Sequence, residues 1–467
     1  MMTRHVRTLG LAAFVLVAAC DEVTPPEGLP PSLDAQVRQS LRQWNVVPIG
    51  EMPVQDPALV ALGQVLMFDK ILSGNRDIAC ATCHQPSEHV ADGLSLAIGT
   101  GGTGLGPSRT LGPGRQFVPR NAPSLLNAGL GLFYVFWDGR ISKFGPGPGG
   151  FTTPAGTALP ADLPNVLAAQ AMFPVTNRRE MRGEPGDLDV FGNANELAQF
   201  GDSQWVEIWQ AVMRRLLAIP EYVSLFNAAF PGTPTSQLGF QHAATAIAAF
   251  QMAAMTKTGS PFDRYLARDD GALSPEAKRG ALLFFGNFGT VDNPVRLNRL
   301  TPCASCHNGP FLGGRDFANT GAPQLGPGVG TGAPLDLGRG ELPNSQSYRF
   351  AFRVTPLRNV ELTAPYFHDG VYPTLEAVVR HYSDVPRALG TFDVSQLPAA
   401  VRDQYHGDPA TLDSILARLD FRVRTPFNFT DVEVAELVAF LKTLTDPAAR
   451  DLGALVPARV PSGLAVP

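Results

Sequence analysis

The sequence predicts a mainly α-helical protein made of two similar halves. Apolar residues recur at three- and four-residue spacing in six stretches, which is the period of an amphipathic helix, whereas alternating strand patterns are few. A helical stretch of similar character precedes each of two C-x-x-C-H motifs, which indicates an internal duplication. The six predicted helices are 57–68, 204–217, 237–255, 274–285, 374–382 and 431–444.

The loops between these helices are long and rich in glycine and proline, notably 99–119, 144–160 and 322–343. Loops of this length are uncommon in compact domains, but a large bound cofactor gives them a core to wrap. We therefore expect two cofactor-bearing domains, at 46–225 and 226–447.

Composition is that of an ordinary globular protein. The 467 residues are 44% hydrophobic and 17% charged, which is enough to bury a sizeable core in about two or three domains. The formal net charge is −5, and the 37 basic residues are scattered along the chain rather than clustered. A nucleic-acid partner is therefore not expected.

The first residues predict export. Residues 1–20 place basic side chains before a short apolar run that ends at Cys20, as in the signal peptide of a bacterial lipoprotein. The run is too short to span a bilayer. We expect a lipid anchor at Cys20, a polar tether over 21–45 and a periplasmic or cell-envelope location, with plain signal cleavage as the alternative. Residues 448–467 are expected to form a tail.

Two C-x-x-C-H motifs are the most specific feature of the chain. Their spacing allows two thioethers to a porphyrin while the next residue, a histidine, binds the iron. A thioredoxin-like pair or one shared zinc ion needs no histidine after both pairs, and the pairs are separated by the whole of 84–302. Two cytochrome-c-like domains, each with a covalent haem c, are predicted. The attachment residues are Cys80, Cys83 and His84, and Cys303, Cys306 and His307.

The second axial position of each iron decides between electron transfer and catalysis. All nine methionines lie at or before Met255, so no methionine follows the second motif. A His/Met site is therefore not expected in the second half. The remaining candidates there are His368, His381, Tyr382 and His406.

Several further motifs follow one another over about 57–446. They are Leu62-Gly63, Phe68-Asp69, Leu72-Ser73, Arg120-Asn121-Ala122-Pro123, Phe136-Trp137-Asp138-Gly139-Arg140, Glu180-Met181, Leu357-Arg358-Asn359-Val360 and Leu362-Thr363-Ala364-Pro365-Tyr366-Phe367-His368-Asp369-Gly370. In these motifs and in their order, the chain resembles the bacterial di-haem cytochrome c peroxidases and their MauG-type relatives. The resemblance implies a peroxidase that uses hydrogen peroxide and carries two haem c groups.

The resemblance also implies roles for single residues. Gln170 and Glu180 match a glutamine and an acid beside the open face of the first haem, where a carboxylate gives general acid–base help to O–O cleavage. Trp137 matches a tryptophan between the haems that relays electrons. Without the family, Glu180 is a charged loop residue and Trp137 is core packing. An interdomain calcium ion is also implied, with oxygens from Asn121, Thr363 and Pro365.

Two departures from the classical peroxidase pattern favour a MauG-like variant. Classical members often block the first haem with a histidine in an Ile-Gly-His-Gly context, where this chain has Thr100. We expect an open first iron, unless His89 or a methionine, Met172 or Met181, closes it. At the second iron, Tyr382 replaces the classical methionine, as in MauG-type enzymes. Its neighbour His381 is the rival, and the two point about 100° apart on a helix.

The expected function follows from these assignments. Hydrogen peroxide reacts at the first haem with help from Glu180, and Trp137 connects the two haems. Electrons come from a small periplasmic cytochrome or copper protein, or from a side chain of a partner protein that is oxidised. The alternative is an electron-transfer cytochrome without peroxide turnover. A haem-based sensor is not expected, because no attached output domain supports it. A homodimer is left open.

Overall fold

The computed structural model describes residues 31–286 and 302–467. The predicted mainly α-helical class is confirmed, and all six predicted helices form. The described helices are α1 (Leu33–Gln43), α2 (Pro57–Phe68), α3 (Cys80–Cys83), α4 (Val166–Ala171), α5 (Trp205–Leu217), α6 (Pro220–Ala229), α7 (Phe240–Ala254), α8 (Pro261–Leu266), α9 (Pro275–Phe285), α10 (Leu375–Ser383), α11 (Val385–Gly390), α12 (Pro409–Leu416) and α13 (Asp431–Lys442).

Strands within the described residues are short. Strand β1 (Tyr134–Val135) pairs antiparallel with β2 (Ile141–Ser142), and β3 (Phe317–Ala318) pairs antiparallel with β4 (Phe352–Arg353). The first pair closes the loop that contains Trp137. The remaining connections are long loops with short turns, as the glycine and proline content predicts.

The predicted helix starts are capped. The Asp56 carboxylate accepts from the backbone N–H of Ala58 at 2.7 Å, and the Ser274 hydroxyl accepts from that of Ala277 at 3.1 Å. Each cap precedes a proline in the first turn of its helix, where the missing N–H has no cost. These contacts fix where α2 and α9 begin.

The same helix crossing occurs once in each half. Helix α2 packs across α7, and α9 packs across α13. At each crossing a glycine allows the backbones to touch. A Cβ atom added to Gly63 would overlap the carbonyl oxygen of Ala246, and one added to Gly280 would overlap that of Glu436. The repeated geometry agrees with the internal duplication indicated by the sequence.

Two large apolar cores organise the chain, and their membership differs from the predicted ranges. The first core includes helices α2 and α4 to α7, together with tail residues such as Leu452 and Val460. The second includes α8, α9, α10 and α13, together with Val37 and Leu41 of α1. Helix α7 therefore packs with the first half, although the expected division at 225 and 226 assigned it to the second.

The expected tether over 21–45 also differs from the structure in part. Val37 and Leu41 are one helical turn apart and place a buried stripe of α1 on the second core, so this part of the segment is folded. The expected signal segment 1–20, including Cys20, lies outside the described residues. No helix within 31–286 or 302–467 has both the length and the apolar character that crossing a bilayer requires.

A buried charge cluster connects loops of the two halves. The Arg120 guanidinium donates to Asp336 through Nε at 2.6 Å and Nη2 at 2.9 Å, and to Asp138 through Nη1 at 2.6 Å. Arg140 also contacts Asp138, at 3.1 Å. Burial alone would raise the pKa of Asp138, but Arg140 and Arg120 hold that pKa well below its usual range. The cluster is therefore charged, and it ties the Trp137 loop to the second half.

We predict that Gly63→Ala and Gly280→Ala each destabilise the protein by about 1–3 kcal/mol, because the new methyl group meets rigid backbone rather than a side chain that can move. Thermal unfolding followed by circular dichroism at 222 nm measures this loss. Gly390→Ala in α11 is the matched control, because nothing lies within 4 Å of its added Cβ. Equal melting temperatures for all three variants and the parent would contradict the assigned crossings.

Candidate haem pockets

A cavity of about 510 Å³ is lined by residues of both halves. Both C-x-x-C-H motifs contribute to its wall, although they are far apart in sequence. Most of the other lining residues are apolar, with a few polar groups aimed inward, as is usual for a cofactor site. The six attachment residues at the wall are Cys80, Cys83, His84, Cys303, Cys306 and His307.

Both motif histidines are held in the form that an iron needs. His84 Nδ1 lies 3.1 Å from the carbonyl oxygen of Val90, and His307 Nδ1 lies 3.1 Å from that of Leu312. A carbonyl oxygen only accepts, so Nδ1 carries the proton in each ring and Nε2 keeps its lone pair. Burial lowers the pKa of each histidine to about 4, so both are neutral at pH 7.

The four motif cysteines are free thiols that face the cavity. Burial raises the pKa of Cys80 and of Cys303 to about 12, and that of Cys306 to about 11. A thioredoxin-like nucleophile needs the opposite shift. No cluster of three or more His, Cys, Asp or Glu side chains that would hold a metal ion occurs in the described ranges. Neutral thiols beside a neutral histidine whose Nδ1 bonds to a backbone carbonyl fit covalent haem c in both places.

We call the part of the cavity at the first C-x-x-C-H motif the first pocket and the part at the second motif the second pocket. The first pocket has an acid and an amide at its wall. Gln170 lies on α4, and Glu180 lies on a single π-helical turn, Arg178–Arg182. Asn177 caps this turn, because its Oδ1 accepts from the N–H of Arg179 and of Glu180, while its Nδ2 donates to Glu180 Oε1 at 2.9 Å. Burial raises the pKa of Glu180, although Arg140 and Arg120 act in the opposite direction.

The loop with Thr100 is held against this turn. The N–H of Thr100 donates to the carbonyl oxygen of Glu180 at 2.9 Å, and its hydroxyl donates to Asp77 at 2.8 Å. The N–H of Gly101 donates to the same carboxylate at 2.6 Å. A Cβ added to Gly99 would overlap the carbonyl oxygen of Arg179. Thr100 is buried and does not line the cavity.

The other expected blocking groups take different positions. His89 is not at the cavity wall, and its Nδ1 lies 3.1 Å from the carbonyl oxygen of Ala449 in the tail. Met172 is buried away from the cavity, but Met181 lines it. Of the three, only Met181 has access to the first pocket.

Trp137 lines the cavity that both sets of attachment residues share. Its indole N–H donates to the carbonyl oxygen of Asn121 at 2.9 Å, and its own carbonyl oxygen accepts from the N–H of Arg353 at 2.7 Å. One contact comes from the first half and the other from the second. The indole is therefore fixed in orientation where both halves meet.

In the second pocket, Tyr382 and His381 occupy different environments. Tyr382 lines the cavity close to Cys303 and Cys306, and burial raises the pKa of its phenol. Both nitrogens of His381 have partners: Nδ1 lies 2.9 Å from the Tyr372 hydroxyl, and Nε2 lies 2.8 Å from the carbonyl oxygen of Thr320. His381 does not line the cavity.

The other two candidate histidines, His406 and His368, also differ in whether they line the cavity. His406 Nε2 lies 2.9 Å from the carbonyl oxygen of Gly326, and the residue is absent from the cavity wall. His368 does line the cavity, where its ring stacks on Phe352 at a centroid distance of 3.5 Å. Burial lowers the pKa of His368 to about 3. It lies beside Asp336 of the buried charge cluster.

The three residues expected at a calcium ion all line the cavity. The Asn121 amide nitrogen donates to the carbonyl oxygen of Leu94, and its main-chain oxygen accepts from Trp137. The Thr363 hydroxyl donates to the carbonyl oxygen of Val360 at 3.1 Å. Among the oxygens that could bind calcium, the main-chain oxygen of Asn121 has a protein partner, and no contact of these residues supports a bound calcium.

Several site residues were missed by reasoning from the sequence. Arg120 and Arg140 lie inside quoted motifs, but nothing in their local pattern shows that they meet Asp138 or act on Glu180. Asn177 has a readable signal, since asparagine is a frequent helix cap and stands three residues before Glu180. Arg353 has none, because its contact with Trp137 depends on pairing between distant segments.

Comparisons with known proteins identify the family of this chain. Residues 57–271 match the sequence model of the di-haem cytochrome c peroxidase family. The chain is 29% identical to the methylamine utilization protein MauG of Methylorubrum extorquens over 418 residues, 89% of this chain and 86% of that protein. It is 32% identical to the cytochrome c551 peroxidase of Pseudomonas aeruginosa over 342 residues, 72% of this chain and 76% of the relative.

Solved structures show the same fold. A MauG-like protein associated with microbial copper homeostasis superposes with a TM-score of 0.56 at 24% identity, covering 89% of this chain and 96% of that one. The di-haem peroxidase BthA of Burkholderia thailandensis superposes with a TM-score of 0.53 at 22% identity, covering 90% and 96%. This chain therefore belongs to the di-haem cytochrome c peroxidase and MauG family, and it is a peroxidase-like oxidoreductase with two haem c groups.

Proposed function

We propose that the protein reduces hydrogen peroxide in the first pocket and receives the electrons through the second. The observation that carries this proposal is that the cavity differs near its two motifs. Glu180 lies near Cys80 and Cys83 of the first motif, whereas Tyr382 lies near Cys303 and Cys306 of the second. When bound, the haem irons supply the site for peroxide and the redox steps. The protein supplies proton transfer, orientation and the path between them.

Glu180 is the proposed proton carrier. Asn177 holds one carboxylate oxygen, Oε1, at 2.9 Å, and the capped turn fixes the direction of the side chain. The second oxygen is then free to take a proton from peroxide and return it to the departing oxygen. A pKa raised by burial brings the group closer to the working pH, which suits a residue that must both accept and donate.

Gln170 is the proposed orienting group for peroxide. It stands on α4, which Asn165 caps by accepting from the N–H of Ala168 at 2.9 Å, so the amide has a rigid base. An amide donates and accepts without a change in charge. This suits a role in positioning peroxide beside Glu180 rather than in moving protons.

Access to the first pocket is proposed to be permanent. Thr100 and Gly101 are bonded to Asp77 and to the turn of Glu180, so this loop does not present a ligand. His89 is occupied with the tail. The protein would then react with peroxide without prior reduction, unlike peroxidases that carry a blocking histidine.

Tyr382 is the proposed distal ligand of the second iron. Its phenol keeps its proton in the apolar pocket, since burial raises its pKa, and Tyr382 would lose that proton if it bound a ferric ion there. A phenolate is a hard anion and favours the oxidised iron. His381 is the weaker candidate because both of its nitrogens already bond to protein.

Trp137 is the proposed link between the pockets. The indole is held by Asn121 on one side and its main chain by Arg353 on the other, so little rearrangement accompanies electron transfer. The proposed direction of electron transfer is from the second pocket to the first, because peroxide is placed in the first. The donor is a small cytochrome or copper protein, or a side chain of a protein substrate that becomes oxidised as it gives up electrons, as the MauG-type resemblance suggests.

The cell envelope is the proposed location, with a lipid anchor at Cys20 and peroxide and donor met in the periplasm. The signal-like segment 1–20 and the two haem c motifs support an exported protein.

An electron-transfer cytochrome without peroxide turnover is the second candidate. One observation favours it: Met181 lines the cavity beside Glu180, and a thioether there would close the first iron. A six-coordinate first iron would leave Glu180 without a substrate.

We predict that Tyr382→Phe changes the spectrum of one haem only. Loss of the phenolate removes the distal ligand of the second iron, so its EPR signal changes while the signal of the first iron stays. The ferric protein is measured without peroxide. His381→Gln is the control and leaves both signals in place, since an amide can keep the contacts with Tyr372 and Thr320. The reverse pattern would assign the ligand to His381.

We predict that Glu180→Gln slows the reaction with peroxide about 10²–10⁴-fold, as expected for loss of a general acid–base. In the parent, the rate falls as the pH drops through the pKa of Glu180, which burial raises, because the carboxylate must be ionised to accept a proton. This acid limb disappears in Glu180→Gln. Stopped-flow absorbance at several pH values measures both effects.

The matched control is Glu184→Gln, on the same loop but with a half-exposed side chain. It keeps the rate and the acid limb of the parent. A Glu180→Gln variant with parental rates would remove the carboxylate from the mechanism.

A further inference from the structure

A second cleft, of about 410 Å³, lies outside the haem pockets beside α5 and the start of α7. Its wall is mainly apolar and includes Met172, Trp209, Met213, Leu238 and Phe240. The volume and the apolar lining suit a small organic molecule. None of the functions assigned above uses this cleft.

The wall of this cleft is also the outer wall of the first haem pocket. Trp209 donates its indole N–H to the carbonyl oxygen of Met172 at 2.7 Å. Met172 lines the cleft, while its neighbours Ala171 and Pro174 line the haem cavity. One short segment therefore separates the two spaces, and Trp209 is bonded to it.

Aromatic rings continue from this segment to the surface. Phe173 makes edge contacts with Trp209 at 6.1 Å and with Trp205 at 5.6 Å between ring centroids. The two indoles lie 6.5 Å apart. Trp209 is almost fully buried, whereas Trp205 is half-buried. Indole is among the side chains most easily oxidised by one electron, so this group forms a continuous path from the first pocket to the cleft.

The cleft has one charged residue in its wall, Arg214. Its side chain is exposed, and it forms no ion pair with any residue of 31–286 or 302–467. An apolar wall with a single unpaired cation at its edge complements an aromatic ring that carries a carboxylate. The remaining polar lining, Gln210, Ser236 and Gln241, can bond to a hydroxyl group.

We propose that this cleft binds small phenolic acids as a second class of reducing substrate. The carboxylate contacts Arg214, the ring lies against Trp209, and electrons reach the first pocket through Trp209 and Phe173. Each phenol gives up one electron to Trp209 and one proton to water, and leaves as a phenoxyl radical. Two phenols and one hydrogen peroxide give two phenoxyl radicals and two waters. The inference rests on the peroxide reaction proposed above.

Ferulate and its methyl ester test this directly, because they share the phenol and differ in the carboxylate. Peroxide-dependent oxidation of each is followed with the haem-loaded protein. Arg214→Gln raises KM for ferulate about threefold to fivefold, as for one exposed ion pair, and leaves KM for the ester unchanged. Trp209→Phe removes most of kcat for both substrates without changing the effect of the carboxylate.

The matched control for Trp209→Phe is Trp44→Phe. Trp44 also donates its indole N–H to a backbone carbonyl, that of Phe285, at 2.7 Å, but it lies on the second core. Both variants lose the same type of hydrogen bond, and only Trp209→Phe should lose phenol oxidation. Equilibrium dialysis of ferulate against the ferric protein, without peroxide, gives weaker binding in Arg214→Gln alone.

The outcomes separate this proposal from the previous one. A parent protein that uses peroxide with reduced cytochrome c but not with ferulate overturns the cleft alone, and so does a Trp209→Phe variant with parental kcat. Equal KM changes for ferulate and its ester in Arg214→Gln also overturn it. A parent protein inert with both donors overturns the peroxide reaction itself.

Discussion

The ion cluster of Arg120 with Asp138 and Asp336 is the contact on which the arrangement of the two pockets depends. Arg120 and Asp138 belong to loops of the first half and Asp336 to a loop of the second, and all three are buried. A buried charge is costly unless it is fully paired, so the loops cannot separate without exposing or orphaning these groups. The cluster therefore fixes the Trp137 loop, which directly adjoins Asp138. It also places positive charge near Glu180.

Around this centre the two haem pockets are alike on one side and different on the other. In each half a glycine crossing, a C-x-x-C-H motif and a histidine bonded through Nδ1 to a backbone carbonyl repeat with the same geometry. An acid on a π-helical turn lines the cavity near the first motif, and a tyrosine on α10 lines it near the second. A duplicated scaffold thus supplies two similar attachment sites. The proposed chemistry rests on what differs between them.

How much the sequence could predict depended on whether a feature is local. Helices α2 and α9 were predictable because a capping residue, a proline and an apolar stripe lie within a dozen residues. The haem motifs were predictable for the same reason. The division at 225 and 226 differed from the packing, because α7 looks like any amphipathic helix until Gly63 is seen against Ala246.

Contacts between distant segments could not be predicted from the sequence. Choosing between His381 and Tyr382 needs the positions of Tyr372 and Thr320, which occupy the histidine nitrogens. The holding of Thr100 by Asp77 joins residues 23 positions apart across the first haem motif. The aromatic group around Trp209 is not predictable from the sequence, because only the fold brings Phe173 and Met172 to it.

The central claim is that one iron is open in the resting protein and the other is closed by Tyr382. EPR of the purified ferric protein during titration with cyanide tests this most directly. The account predicts that one equivalent binds without prior reduction, converting a high-spin signal while the second signal is unchanged. Uptake of no cyanide would show that both irons are closed, and uptake of two would show that Tyr382 is not a ligand. Either result would contradict the account.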